Sequence, residues 1–170
     1  MKRPDLCIEA MRSVAKYYPN GKLAILGYGP MEKKLRNMIE SYGLSEQISL
    51  VNQDTLFFDA HPRDKKVYFM QKAWAFLLPS VKEGWGMVIT EAGACGTPSI
   101  VTSVTGLENS VIDGETGIVI SANPSAQELA KAMIRMIENK TEREKLCQGA
   151  LQYAKQFTWN RSYQTLLPFL

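Results

Sequence analysis

Apolar residues recur along this chain at two periods, and the periods alternate. Leu6, Ala10, Met11 and Val14 follow a helical repeat that predicts a helix from Pro4 to Tyr17. Leu23-Ala24-Ile25-Leu26 is a short buried strand. Gly29-Pro30 starts a second helix, since proline suits a first helical turn; Leu35, Met38 and Ile39 form its apolar face and Gly43 stops it. Ile48 to Val51 reads as the next strand, with a polar loop after it to Arg63. Lys66 to Lys72 reads as a short helix and Ala73 to Leu78 as the most hydrophobic strand. Met87 to Ala92 starts a further helix, and Pro98 to Val101 and Gly117 to Ile120 supply two more strands. Asn123-Pro124-Ser125 leads into a helix with Leu129, Ala132, Met133, Met136 and Ile137 inward, and Thr141-Glu142-Arg143-Glu144 caps another. Phe157-Thr158-Trp159 is a break before a last helix from Arg161 to Leu170.

Strands alternating with helices predict βα units and a Rossmann-like α/β domain, a parallel sheet flanked by helices. A doubly wound unit normally opens with a strand, whereas Met1-Lys2-Arg3-Pro4 is a helix entrance. The expectation is therefore that the first strand of the unit is missing and that the chain is a piece of a longer protein.

Composition changes this picture little. At 170 residues the chain suits one domain, which buries roughly 70% of its unfolded surface. Its 45% hydrophobic and 22% charged content is ordinary for a globular protein, and a net charge of +3 is too small to argue for nucleic acid. No stretch reaches the length of about 18 apolar residues that a membrane span needs, and no signal peptide is visible. Cys7, Cys95 and Cys147 are odd in number and far apart, which favours reduced thiols and a cytoplasmic setting. His61 is the single histidine, so no histidine-rich metal site can be built, and its place beside Pro62 reads as a loop.

The chemistry concentrates in Glu83-Gly84-Trp85-Gly86-Met87-Val88-Ile89-Thr90-Glu91. A buried apolar segment has no packing reason to begin and end with an acid. Glycines at 84 and 86 let backbone approach a ligand, and the helix starting at Met87 offers free N–H groups and a positive dipole end. A phosphate joined to a polyhydroxy group would satisfy the amides and the acids together.

This segment resembles the E-x7-E signature of retaining glycosyltransferases of the GT-B architecture, in particular the family 4 enzymes (glycosyl transferases group 1). Leu77-Leu78-Pro79-Ser80 before it, Ala92-Gly93-Ala94-Cys95-Gly96-Thr97-Pro98 after it, Thr105-Gly106-Leu107-Glu108, Asp113-Gly114-Glu115-Thr116-Gly117 and the upstream Lys22 to Pro30 carry the likeness over nearly the whole chain. It implies the carboxyl-terminal half of a GT-B fold. Residues 1–156 would be the donor-binding domain and residues 157–170 the start of a truncated terminal helix. It implies that Glu91 accepts hydrogen bonds from ribose hydroxyls. Glu83 would lie near the reacting face of the donor sugar as the catalytic residue, and Gly84, Trp85, Gly86, Met87 and Val88 would cradle sugar and diphosphate. Lys2 aligns with the lysine of an R-x4-K pair that neutralises the leaving diphosphate, and the partner arginine would precede residue 1. The likeness implies no metal and no cofactor, a nucleoside diphosphate sugar as donor, and an amino-terminal acceptor domain as the partner that completes the enzyme. For a full-length parent it leaves room for peripheral membrane association.

Two alternatives stay open on sequence. The domain could act alone as a nucleotide-binding or interaction module. Alternatively, Gly27-Tyr28-Gly29 after a strand could open a dinucleotide-binding fingerprint, with Asp54 as the ribose acid. Against the second, Glu32 stands where the third glycine belongs. The glycosyltransferase resemblance instead puts Gln53 and Asp54 near the base.

Overall fold

The computed structural model describes residues 2–51 and 62–169. The readings placed on Gln53, Asp54, His61 and the polar loop lie outside the described residues.

Helix α1 (Pro4–Val14) opens on proline and buries Leu6, Ala10, Met11 and Val14, the face its spacing predicted, together with Cys7 and Ile8. Strand β1 (Leu23–Leu26), helix α2 (Glu32–Ser41) and strand β2 (Ile48–Val51) follow, then α3 (Pro62–Lys72), β3 (Phe76–Leu78), α4 (Met87–Ala94), β4 (Ser99–Thr102) and β5 (Gly117–Ile120). Helices α5 (Ala126–Glu138), α6 (Lys140–Ala154) and α7 (Trp159–Leu166) complete the order, with a 3-10 turn at Leu167–Phe169. Every strand pairing is parallel.

The single sheet expected from the sequence is divided in two. One sheet pairs β1 with β2, from Leu23 opposite Ile48 to Leu26 opposite Val51. The other has the order β3-β4-β5, with Phe76 opposite Ser99 and Ser99 opposite Gly117. No ladder joins β1 to β3 among the described residues, although one core runs under both sheets. That core gathers α1, α2, α5 and α6 residues with Ile48, Ile100 and Ile118, and Leu23, Ile25 and Leu77 pack against it. Residues of opposite parity fill a second cluster of Leu78, Val101, Ile89, Leu107 and Val111. Strand side chains alternate between faces, so both faces of the three-stranded sheet are covered, as parallel sheets require. Each fully buried Leu or Ile contributes about 1.5–3 kcal/mol.

Some boundaries differ from those the sequence predicts. Strand β3 begins at Phe76 rather than Ala73, because its ladder starts where β4 does; Trp74 is exposed instead, under the Arg143 guanidinium at 4.3 Å from the ring centroid. Helix α3 begins four residues before Lys66. The cap of α6 is Asn139, not the Thr141 run: its Oδ1 accepts the Glu142 amide at 3.0 Å and its Nδ2 donates to Glu142 Oε2 at 3.3 Å. The first of these bonds satisfies one of the free amides in the first turn of α6. Helix α7 starts at Trp159 because the Thr158 hydroxyl accepts the Arg161 amide.

Candidate donor site

The two acids and the glycine turn sit where β3 hands the chain to α4, at the carboxyl end of a parallel sheet. Ligands of open α/β sheets bind at this end. Pro79 and Ser80, just past β3, are buried. The Thr102 hydroxyl at the end of β4 donates to the Ser80 carbonyl at 2.5 Å, tying the two strand ends together. The Ser80 hydroxyl in turn donates to Glu83 Oε1 at 2.8 Å. Glu83 is thus half-buried and held by one oxygen, leaving Oε2 to accept from elsewhere.

Gly86 is the residue before α4 and has φ 69 and ψ 51, a left-handed conformation that a side chain would strain. A Cβ there would also lie 2.7 Å from Leu107 Cδ2. Among the described residues no side-chain cap is bonded to α4, and the Ile89 amide turns back to the Gly86 carbonyl at 2.7 Å. The amides of Met87 and Val88 therefore point out of the helix with its positive end behind them. Met87 is 65% exposed, so the approach to this helix end is open. Ile89 and Ala92 on the opposite face are buried, which anchors the helix to the cluster beneath.

Two supports come from distant sequence. Gly106 lies against the turn so closely that a Cβ would be 2.0 Å from the Glu83 carbonyl oxygen and 2.4 Å from that of Gly84. The Trp85 ring meets Phe157 edge-on at 5.4 Å, and Phe157 meets Tyr153 at 5.1 Å. Tyr153 donates its hydroxyl to the Asn109 carbonyl at 2.6 Å, and Trp85 Nε1 donates to Thr90 Oγ1 at 3.4 Å. In the sequence Gly106 stands only within a segment of the family likeness and 157–159 as a break, and neither is connected to the acids.

Glu91 stands on the exposed face of α4, its Oε2 in an ion pair with Lys66 of α3 at 2.8 Å. Cys95, one turn further, has its thiol pushed up by burial and then by Glu91, with Lys66 opposing. Lys2 is exposed ahead of α1, and among the described residues no hydrogen bond or ion pair joins it to Glu83 or Glu91. The Asp113–Gly117 turn is structural: Asp113 Oδ1 accepts the Val119 amide and Thr116 Oγ1 accepts the Ile112 amide, both at 2.8 Å. At the β1 end, Glu32 occupies the first turn of α2 and pairs with Arg36 at 2.6 Å, an acid where a pyrophosphate would have to sit. Among the described residues no cluster of His, Cys, Asp and Glu could hold a metal ion, and no helix is long and apolar enough to cross a membrane.

The sequence profile of the glycosyl transferases group 1 matches residues 1–153. The chain belongs to that family. Among its relatives, an uncharacterized glycosyltransferase of Methanocaldococcus jannaschii is 29% identical over 160 residues, covering 94% of this chain and 42% of that protein. A D-inositol 3-phosphate glycosyltransferase of Kribbella flavida is 29% identical over 171 residues, covering 98% of this chain and 40% of that protein. The chain thus spans about two-fifths of the length of these relatives. Among solved structures, Anabaena HepE in complex with UDP-glucose superposes with a TM-score of 0.81 at 23% identity, over 99% of this chain and 46% of that one. The C-terminal domain of the glycosyl transferase group 1 family protein LpcC from Francisella tularensis gives 0.76 at 22% identity, over 91% and 78%. This glycosyltransferase domain accordingly has the α/β fold of parallel sheets flanked by helices found in the carboxyl-terminal domain of GT-B enzymes.

Proposed function

We propose that this chain is the donor-binding part of a retaining, metal-independent family 4 hexosyltransferase working in the cytoplasm. The donor is a nucleoside diphosphate sugar, with the UDP-glucose of the HepE complex as the model ligand. The observation that carries the reading is the uncapped amino end of α4 behind the Gly84–Gly86 turn, with one carboxylate before it and one a turn beyond its start. Amides of Met87 and Val88 would receive the diphosphate, and Glu91 would accept the ribose hydroxyls. Trp85 and the backbone from Gly84 would border the sugar.

Transfer breaks the bond between the anomeric carbon and the diphosphate oxygen, and the electron pair leaves with the diphosphate. A bond from the acceptor oxygen forms on the same face, and the acceptor proton passes to the departing phosphate. Glu83, which accepts from the Ser80 hydroxyl, would stabilise positive charge developing at the anomeric carbon. Helix-end amides share the neutralisation of the leaving group that would otherwise fall to a metal, with Lys2 as the cation contributed by this chain. The acceptor side belongs to the portion of the relatives that this chain does not span, so the isolated chain should bind donor without turning it over.

The test is a thermal-shift panel with UDP, GDP, ADP, NAD and UDP-glucose on the chain and on Glu91→Ala. A ligand at 100 times its Kd adds about 2.7 kcal/mol, enough to read as a melting shift. Stabilisation by one nucleoside diphosphate that disappears in Glu91→Ala supports the assignment. Stabilisation by NAD alone, or an unchanged response in Glu91→Ala, refutes it.

A further inference from the structure

Lys66 is the unexplained group beside this site. It comes from α3, 25 residues before Glu91, and its ammonium donates to Glu91 Oε2 at 2.8 Å. Both side chains keep substantial exposure, 39% for Lys66 and 44% for Glu91. An ion pair this open to solvent adds little to stability. Its consequence for the carboxylate is larger. An ionised carboxylate offers about four acceptor positions on two oxygens; Lys66 takes one of them, on Oε2. The bond restrains the turning of the carboxylate and engages Oε2, leaving Oε1 and the second lone pair of Oε2 as acceptor positions. A freely turning glutamate on an exposed helix face would have to give up that rotation when a vicinal diol bound it.

We infer that Lys66 is a positioning residue for nucleotide recognition, holding the Glu91 carboxylate ready for the ribose diol and so setting the preference for ribonucleotides over 2′-deoxyribonucleotides. The inference rests on the assignment of Glu91 to the ribose. Lys66 does its work through Glu91 and touches no reacting atom.

The experiment measures Kd for UDP and 2′-deoxy-UDP by calorimetry on the unaltered chain, Lys66→Met, Lys66→Arg and Glu91→Ala, with melting temperatures alongside. A hydrogen bond to a charged group corresponds to about tenfold or more in affinity, so the unaltered chain should prefer UDP by at least that ratio and Glu91→Ala should bring the ratio close to one. Lys66→Met should weaken UDP about fivefold to tenfold while moving 2′-deoxy-UDP less than twofold. Lys66→Arg should restore the preference, and all variants should melt close to the parent. A general structural role would weaken both nucleotides alike, and that result overturns the inference. So does an unchanged ratio in Lys66→Met. If Glu91→Ala collapses the ratio and Lys66→Met leaves it intact, only the role of Lys66 fails. If the unaltered chain binds none of UDP, GDP and ADP, or Glu91→Ala keeps the ratio, the ribose assignment itself fails and the inference with it.

Discussion

Substituting Gly106 by alanine adds one methyl group outside the acidic segment, yet it should damage the site more than the same change within it. At Gly106 φ is 94, a conformation that L side chains rarely adopt; forcing one costs about 1–2 kcal/mol. The new Cβ would lie 2.0 Å from the Glu83 carbonyl oxygen and 2.4 Å from that of Gly84. Carbon and oxygen normally keep about 3.3 Å apart, so the turn must retreat by more than an ångström. Both obstructions are backbone atoms, so no rotamer change relieves them. Overpacking of this kind costs a further 1–3 kcal/mol or so, giving a loss of about 3 kcal/mol and a melting temperature lower by about 6–12 °C. Function should suffer beyond that, because an ångström of misplacement in a binding constellation can cost about 100-fold. Gly84→Ala is the control: a Cβ there meets nothing within 4 Å, and its φ is not in the positive range. The assay is a thermal melt with a calorimetric UDP titration for both variants. If Gly106→Ala melts and binds like the parent, or if Gly84→Ala loses more stability, the packing argument is wrong.

Two further outcomes follow from the supports and the core. Phe157→Ala removes the ring between Trp85 and Tyr153; it should cost about 1–2 kcal/mol and, in a Trp74→Phe, Trp159→Phe background, shift Trp85 emission to the red with readier acrylamide quenching. Unchanged Trp85 emission would show that the aromatic contact does not hold the turn. Cys7 on α1 has its thiol pushed up to about 12, by burial first and then by Asp5, with Arg3 opposing. Its folded pKa lies above the unfolded one, so its contribution is fully present below pH 9. It is lost as pH climbs from 9 toward 12, by about 1.4 kcal/mol per unit. Urea melts between pH 8 and pH 10.5 should show a steeper loss for the parent than for Cys7→Ala; equal slopes would contradict the buried-thiol account.

What the sequence determined by itself is what local periodicity and local chemistry can carry. The face of α1 from Leu6 to Val14 and the strands at Leu23–Leu26, Ile48–Val51 and Gly117–Ile120 were legible because a repeat of buried positions is a property of neighbouring residues. The acidic segment was legible for a related reason: Glu83, Gly86 and Glu91 lie within one turn-and-helix unit, so their order along the chain already sets their approximate arrangement. Tertiary structure decided what depends on partners remote in sequence. Apolarity in Ala73-Trp74-Ala75 could not show that the β3 ladder begins only at Phe76, because the register belongs to β4. Alternation of strands and helices could not show that β1 and β3 remain unjoined, because hydrogen bonds between strands are not written in either strand. The contacts that hold the site are of the same sort. Lys66 against Glu91, Gly106 against the Glu83 carbonyl and Phe157 against Trp85 each span 20 or more residues of sequence and become neighbours only when the helices close over the sheet.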